Sequence, residues 1–315
     1  MGVMNFSEQE RRQLALLAGA FGEKIQTLLD DPDVIELMLN PDGRLWQDRL
    51  SDGRSDTGLT VTPSEAEMII RIVASKRNEL CNSDNPILSA ELPGAGYRFQ
   101  GLLPPVVKSP VFTIRKKASK VFSLDELVDQ GVLVRADSDA LKRAVGEKKN
   151  ILIAGGTGSG KTTFANALLK EISLSGDRVV IIEDTEELQC DVQDHVASRT
   201  SEGVADMRAL LKATMRLRPD RIIVGEVRGG EALDLLKAWN TGHPGGVATV
   251  HANSAEQSLG RIEQLALEST RAISRQMIAE AVNVIVFIER AGRGRRVSEL
   301  VKVGFDEGYT FTSLN

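Results

Sequence analysis

The residues best equipped for chemistry lie in the run Gly155-Gly-Thr-Gly-Ser-Gly-Lys-Thr162, which fits the pattern G-x-x-x-x-G-K-[S/T]. A chance match in a chain of this length is expected about 0.01 times. Glycines let successive backbone N–H groups turn inward, and the start of a helix adds partial positive charge, so the run suits a polyphosphate. An aliphatic stretch, Asn150–Ala154, leads into it, and a helical stretch from Thr162 to about Ile172 leads out. Gly155, Gly156, Thr157, Gly158, Ser159, Gly160, Lys161, Thr162 and Thr163 are therefore the nucleotide-binding candidates. Lys161 is expected on the β- and γ-phosphates, and the Thr162 hydroxyl on Mg²⁺. The guanine-reading motif Asn-Lys-x-Asp does not occur, which favours ATP over GTP.

Three further groups fall where such a site needs acids and hydrogen-bonding side chains. The run Ile182-Glu-Asp-Thr-Glu-Glu187 follows an aliphatic strand, and the C-terminal ends of parallel strands are where α/β sheets bind ligands. Glu183 and Asp184 are the candidates there, to hold Mg²⁺ through water or to orient the attacking water; Glu186 and Glu187 read as a solvated turn. A second aliphatic strand, Arg221-Ile-Ile-Val224, runs into Gly225-Glu226-Val-Arg228. An Asp is usual where this chain has Gly225, so Glu226 is left as the carboxylate for metal-linked or water-activating work. Arg228 or the metal would balance its charge. His243 and His251 bracket a third apolar stretch near the expected site, where His251 and Asn253 suit sensing the γ-phosphate by hydrogen bonding. Two histidines without a cysteine or a neighbouring acid make a poor metal set. His195, in a Gln- and Asp-rich stretch, reads as surface.

These residues need elements to position them. Residues 1–115 mix helical spacing over 7–29 and 63–79 with short strand-like pieces, Val34–Leu39, Arg44–Arg49, Tyr97–Leu103 and Val111–Arg115. Asn40-Pro-Asp-Gly43 between two of them is a strong turn signal. This predicts a small α+β domain, with a linker in the region Lys108–Ser119 carrying Arg115, Lys116 and Lys117. Residues 116–315 read differently. Asn150–Ala154, Arg178–Ile182, Ile222–Val224, Val247–Val250 and Val284–Ile288 are short, nearly continuous aliphatic runs alternating with helices of about 10–15 residues. That pattern predicts an α/β domain with a parallel sheet buried on both faces.

Composition sets the outer bounds. The chain has 315 residues, 42% hydrophobic and 26% charged, with a net charge of −5 and 4% aromatic residues. An acidic chain so poor in aromatic residues is a weak candidate for direct DNA binding. Its two cysteines, Cys81 and Cys190, cannot build a four-cysteine zinc site and suit a reducing compartment. No apolar run reaches 18 residues. The N-terminal stretch through Gly22 mimics a signal peptide, but Glu8 and Glu10 sit in its would-be basic region, so an amphipathic helix is expected. The basic run Arg290-Ala-Gly-Arg-Gly-Arg-Arg296 separates two strand-like segments. It reads as a charged hairpin turn that also suits contact with anionic lipid.

Taken in order and spacing, the phosphate run, Ile182-Glu-Asp-Thr-Glu-Glu-Leu188, Met215-Arg-Leu-Arg-Pro-Asp-Arg-Ile-Ile-Val-Gly-Glu-Val-Arg228 and Thr241-Gly-His through Thr-Val-His-Ala-Asn253 resemble the type II/IV secretion traffic ATPases. Asp31-Pro-Asp-Val-Ile-Glu36 and Gly96-Tyr-Arg-Phe99 are similar to that family's N-terminal domain. The short N-terminus resembles its type IV secretion branch. The resemblance implies a RecA-like C-terminal domain, a homohexameric ring and nucleotide held between two domains that swing about the linker. It places Lys161 and Thr162 in the phosphate loop, Glu183 and Asp184 in the acidic box, Glu226 as the catalytic glutamate, and His243 and His251 in the histidine box. Arg98 and Arg115 match N-terminal arginines that reach nucleotide; Arg216, Arg218 and Arg228 are further phosphate-sensing or subunit-bridging candidates. Implied partners are inner-membrane components of a conjugation or secretion machine, with the protein cytoplasmic or peripheral at that membrane. A type IV pilus motor and a DNA translocase are the alternatives; the missing tetracysteine element and retraction-motor signature favour conjugation.

Overall fold

The computed structural model describes residues 8–75, 80–117, 120–201, 203–292 and 294–315. The chain forms two compact units, Met1–Ser119 and Lys120–Asn315.

The first unit orders as α1 (Glu8–Asp30), β1 (Val34–Leu39), β2 (Arg44–Arg49), β3 (Gly53–Thr60), α2 (Pro63–Ser75), β4 (Ile87–Glu91), β5 (Arg98–Leu102) and β6 (Val111–Arg115). The strands make one antiparallel sheet in the order β3-β2-β1-β6-β5-β4. Helix α1 is interrupted at Gly22, whose φ of 67° and ψ of 167° are non-helical, where the spacing predicts continuity. Alternation sorts the strand residues. Leu37, Ile114 and Phe99 lie in register on one face and share a core with Ile69 and Ile70 of α2. The other face carries a charged row across four strands: Glu91, Arg98, Arg115 and Glu36, each opposite the next. The linker expected from Lys108 begins too early. Val111–Arg115 is a strand between β1 and β5, with Phe112 and Ile114 buried, so the chain leaves the sheet only after Arg115.

The second unit continues with α3 (Leu124–Asp129), α4 (Arg135–Gly146), β7 (Ile151–Ala154), α5 (Lys161–Ile172), β8 (Val179–Glu183), β9 (His195–Arg199) and α6 (Met207–Thr214). There follow β10 (Arg221–Val227), α7 (Glu231–Asn240), β11 (Val247–Val250), α8 (Ala255–Leu267), α9 (Arg275–Ala281), β12 (Val284–Ala291), β13 (Gly294–Phe305) and β14 (Tyr309–Ser313). Ser123 and Glu126 close a reciprocal capping box at α3, as their spacing predicts. The eight-stranded sheet runs β14-β13-β12-β7-β11-β10-β8-β9, parallel from β12 to β9, with β13 and β14 returning antiparallel. Ile151, Ile153, Ile181 and Ile223 point into one core with α5, while Leu152, Ala154, Ile182 and Val224 point into another with α7 and α8. Helices on both faces explain why these strands are nearly continuously apolar.

The edge of the sheet remote from the phosphate run is pinned by a buried ion pair. Arg221, 1% exposed, donates to Asp177 at 2.7 Å, to the Val145 carbonyl at 3.0 Å and to the Gly245 carbonyl at 3.3 Å. Lys148 adds a second cation to Asp177 at 2.8 Å. Asp177 is only partly desolvated, and Lys148, Ser175 and Arg221 hold its carboxyl down at about 2. Replacing Arg221 by alanine strands two carbonyls and takes one of two cations from Asp177, and should cost about 2–4 kcal/mol of unfolding free energy in urea titration; a loss under about 1 kcal/mol would show the pair to be dispensable.

Candidate active site

The phosphate run lies between the end of β7 and the start of α5, where the strand ends and the helix N-terminus point the same way. Gly160 has φ of 101°, a left-handed conformation that favours glycine, immediately before α5. Lys161, 8% exposed, turns back onto its own loop and donates to the carbonyls of Gly155 and Gly156, each at 3.0 Å. A polyphosphate in the loop offers the ammonium better acceptors than these carbonyls. Thr162, at the helix start, donates its hydroxyl to Glu187 Oε2 at 3.2 Å.

Strand order places the remaining groups. β11 lies between β7 and β10, so the residue that leaves β11 sits between the phosphate loop and the end of β10. That residue is His251. Its Nδ1 is 3.4 Å from Lys161 Nζ, and its Nε2 is 2.6 Å from Glu226 Oε1. Lysine can only donate, so Nδ1 accepts and Nε2 carries the proton that faces Glu226. Burial, with the Lys161 charge second, pushes the His251 value below the usual imidazole range, which keeps the ring neutral. The other Glu226 oxygen is gripped by both Arg228 Nε, at 2.7 Å, and Arg228 Nη2. Arg228 Nη1 reaches Asp184 at 3.3 Å, and Thr200 donates to Asp184 at 3.0 Å. Lys161, His251, Glu226, Arg228 and Asp184 thus form one connected chain.

Glu183 has a different station. It is 4% exposed, and its Oε1 accepts from the backbone N–H groups of Glu187 and Leu188 at 3.0 and 2.9 Å. Those bonds curl the acidic turn so that Glu187 meets Thr162. The sequence pattern around Glu187 suits a solvated turn, whereas the structure places it against Thr162; its spacing from Glu183, which suits a carboxylate-capped turn, is the signal for this position. The same geometry accounts for Gly225. A Cβ there would stand 2.9 Å from Glu183 Cγ, so the Glu183 side chain fills the space that an Asp on β10 would need. Burial drives the Glu183 carboxyl up to about 7 against the two backbone donors, which favour its ionised form.

Other expected residues lie elsewhere. His243 precedes β11, and four strand residues span roughly 13 Å, so the two histidines stand at opposite edges of the sheet and only His251 joins the cluster. Arg216 and Arg218 are exposed on the segment entering β10, also at the remote edge. Arg98 and Arg115 belong to the first unit, directly opposite one another on β5 and β6. His195 is exposed at the start of β9. Among the described residues, no group of three or more His, Cys, Asp or Glu forms a metal cage by itself. A hydroxyl and a carboxylate beside a phosphate loop nonetheless fit a hard cation that shares its sphere with phosphate oxygens and water.

Fold and site together define a P-loop ATPase on a RecA-like sheet. Residues 65–293 match the family described as type II/IV secretion system protein. The conjugal transfer protein TrbB of Rhizobium radiobacter is 50% identical over 300 residues, covering 95% of this chain and 91% of that one. The type IV secretion system protein VirB11 of Bartonella henselae is 32% identical, covering 88% and 90%. Among solved structures, the ATPase DotB of Legionella pneumophila shares the fold, with a TM-score of 0.63 at 18% identity over 98% of this chain and 84% of that one. The chain belongs to the type II/IV secretion system family, and it is a nucleotide-binding ATPase.

Two measurements probe Glu183. Its raised value means the folded chain holds the proton more tightly than the unfolded one. That stabilisation is complete below the ordinary carboxyl value and is lost as pH rises through about 7. Between pH 5 and pH 8 the native protein should lose up to about 3 kcal/mol more than Glu183→Gln does in urea titration; identical pH slopes would show that Glu183 is not desolvated. Gly225→Ala should displace the same side chain and cost about 1–3 kcal/mol, read as a lowered Tm.

Proposed function

We propose that this chain hydrolyses ATP as a homohexameric ring to power a conjugative DNA-transfer or type IV secretion apparatus, on the cytoplasmic side of the inner membrane. The observation that carries the catalytic part is the chain Lys161–His251–Glu226 at one sheet edge. The transport part rests on 50% identity, over nearly the whole length, to a protein named for conjugal transfer. Among the described residues no helix is long and apolar enough to cross a membrane, so attachment would come through inner-membrane partners.

The roles follow from the contacts. Backbone N–H groups of residues 156–162 and the α5 N-terminus receive the phosphates. Lys161 leaves the Gly155 and Gly156 carbonyls for the β- and γ-phosphate oxygens. Thr162 and Glu187 would hold Mg²⁺, which would supply positive charge to offset that of the polyphosphate. Glu226 orients the attacking water and takes its proton, because its carboxylate is held from both sides by His251 and Arg228 and stands at the strand tip. Glu183 shapes the acidic turn instead, since its Oε1 is committed to two backbone donors. Asp184 steadies Arg228, which is placed to meet charge developing on the γ-phosphate. In the first unit, the in-register pair Arg98 and Arg115 offers two planar guanidiniums suited to phosphate oxygens.

Phosphate release separates these roles. Lys161→Ala should abolish turnover, Glu226→Gln should lower kcat by about 10²–10⁴-fold, and Glu183→Gln should lower it far less; the reverse order for the two glutamates would exchange their roles. Sedimentation with a non-hydrolysable nucleotide should show a hexamer, and a monomer at every concentration would remove the ring. Cross-linking in native cells, read by mass spectrometry, should recover mating-channel components; a type IV pilus platform instead would move the motor to that machine.

A further inference from the structure

The basic turn at 290–296 is the feature the catalytic reading leaves unused. Arg293 lies outside the described residues. The rest is a continuation of the sheet. β12 pairs with β7 as far as Ala154–Phe287, then runs on to Ala291 while β7 gives way to the phosphate loop. β13 returns beside it from Gly294, so the hairpin overhangs the loop. Within the hairpin, Arg290 stands directly opposite Arg295, and Glu289 opposite Arg296. Arg296 pairs with Glu289 at 3.1 Å. Two like charges in register repel unless something accepts from both. Here the Gly158 carbonyl does: Arg290 Nε and Arg295 Nε each donate to it at 3.3 Å.

A second observation shows that loop and hairpin are fitted to each other. A Cβ on Gly158 would stand 2.7 Å from Arg290 Nη2, and one on Gly160 would stand 2.7 Å from Arg295 Cδ. The two loop glycines therefore make room for the two arginines, beyond their part in wrapping phosphate. The Gly158–Ser159 peptide is then held by its oxygen from outside. Because C=O and N–H point opposite ways across a planar peptide, the Ser159 N–H is turned inward. In this structure it donates to the Gly156 carbonyl at 3.3 Å.

We propose that Arg290 and Arg295 are positioning residues of the nucleotide site: the pair grips the outer face of the phosphate loop at Gly158 and keeps its N–H groups aimed at the polyphosphate. The proposal rests on the ATPase reading of that loop. Two cations behind the peptide also polarise it, which strengthens the inward N–H as a donor. The loop wraps the part of the ligand that ATP and ADP share, so the effect is on affinity for both rather than on the chemical step.

The full-length double variant Arg290→Gln/Arg295→Gln tests this. KM for ATP and Kd for ADP should rise together by about 10-fold (about 1.4 kcal/mol), with kcat changed less than about twofold. Arg290→Lys/Arg295→Lys keeps the charge without the planar fork and should recover part of the affinity; it also serves if the glutamine variant does not fold. Unchanged KM and Kd, or a fall in kcat at constant KM, would overturn the proposal. So would loss of sedimentation with phosphatidylglycerol vesicles at unaltered nucleotide affinity, which would give the arginines to a membrane surface. Lys161→Ala run in parallel keeps the two readings apart. If it is inactive while the arginine variants match the native protein, the positioning role alone fails. If it turns over ATP normally, the loop assignment fails first.

Discussion

A single strand, β11, separates the strand that ends in the phosphate loop from the strand that ends in Glu226. Adjacent strands lie about 4.8 Å apart, so a lysine and a carboxylate two strands apart do not meet directly across the sheet. The inserted strand opens a gap wide enough for substrate and supplies the residue that spans it. His251 does so as a neutral ring, with Nδ1 3.4 Å from Lys161 Nζ and Nε2 2.6 Å from Glu226 Oε1. Direct pairing of the two charges would neutralise both groups that the site needs. A neutral bridge keeps them in register and lets each go.

The acidic residues follow a second constraint, which is space. Position 225 on β10 is closed to any side chain because Glu183 of β8 already fills it. The carboxylate has in effect moved one strand along the sheet. There it is buried, its value is raised, and it organises a turn. The turn brings Glu187 to Thr162, so two functions usual for one aspartate are divided between a buried organiser and a half-buried partner of the hydroxyl. At the remote edge, Arg221 and Asp177 join strand and loop ends by charge. One edge of the sheet is thus closed by internal ion pairing, while the other is left rich in groups that can exchange partners.

Much of this was legible in the sequence because the signals were local. The phosphate run carries its own glycines and helix start. The central strands β7, β8 and β11 are nearly continuously apolar and buried because both faces are covered, and Ser123 with Glu126 announced α3. What the sequence did not reveal depends on strand order. His243 and His251 look equivalent along the chain, but a strand converts their separation into a distance across the domain. Gly225 reads as a missing acid until its neighbour on β8 is known. Gly53–Thr60 and Ile87–Glu91 escaped notice as strands because Gly, Ser and Asp dilute the first and flanking polar residues hide the second; pairing within the sheet decides both. The first unit's charged row, Glu91–Arg98–Arg115–Glu36, is likewise invisible in one dimension.

The contacts at Gly158 join residues 132 and 137 positions apart, and β7 has β12 as one of its two neighbours. The glycine-rich motif is therefore synthesised long before its outer support exists. A growing chain emerges N-terminal end first, so the loop stays open on one flank until nearly the whole protein has been made. Nucleotide capture becomes a property of the finished chain, and a polypeptide that stops short of β12 keeps the motif in its sequence while lacking the walls that give it shape.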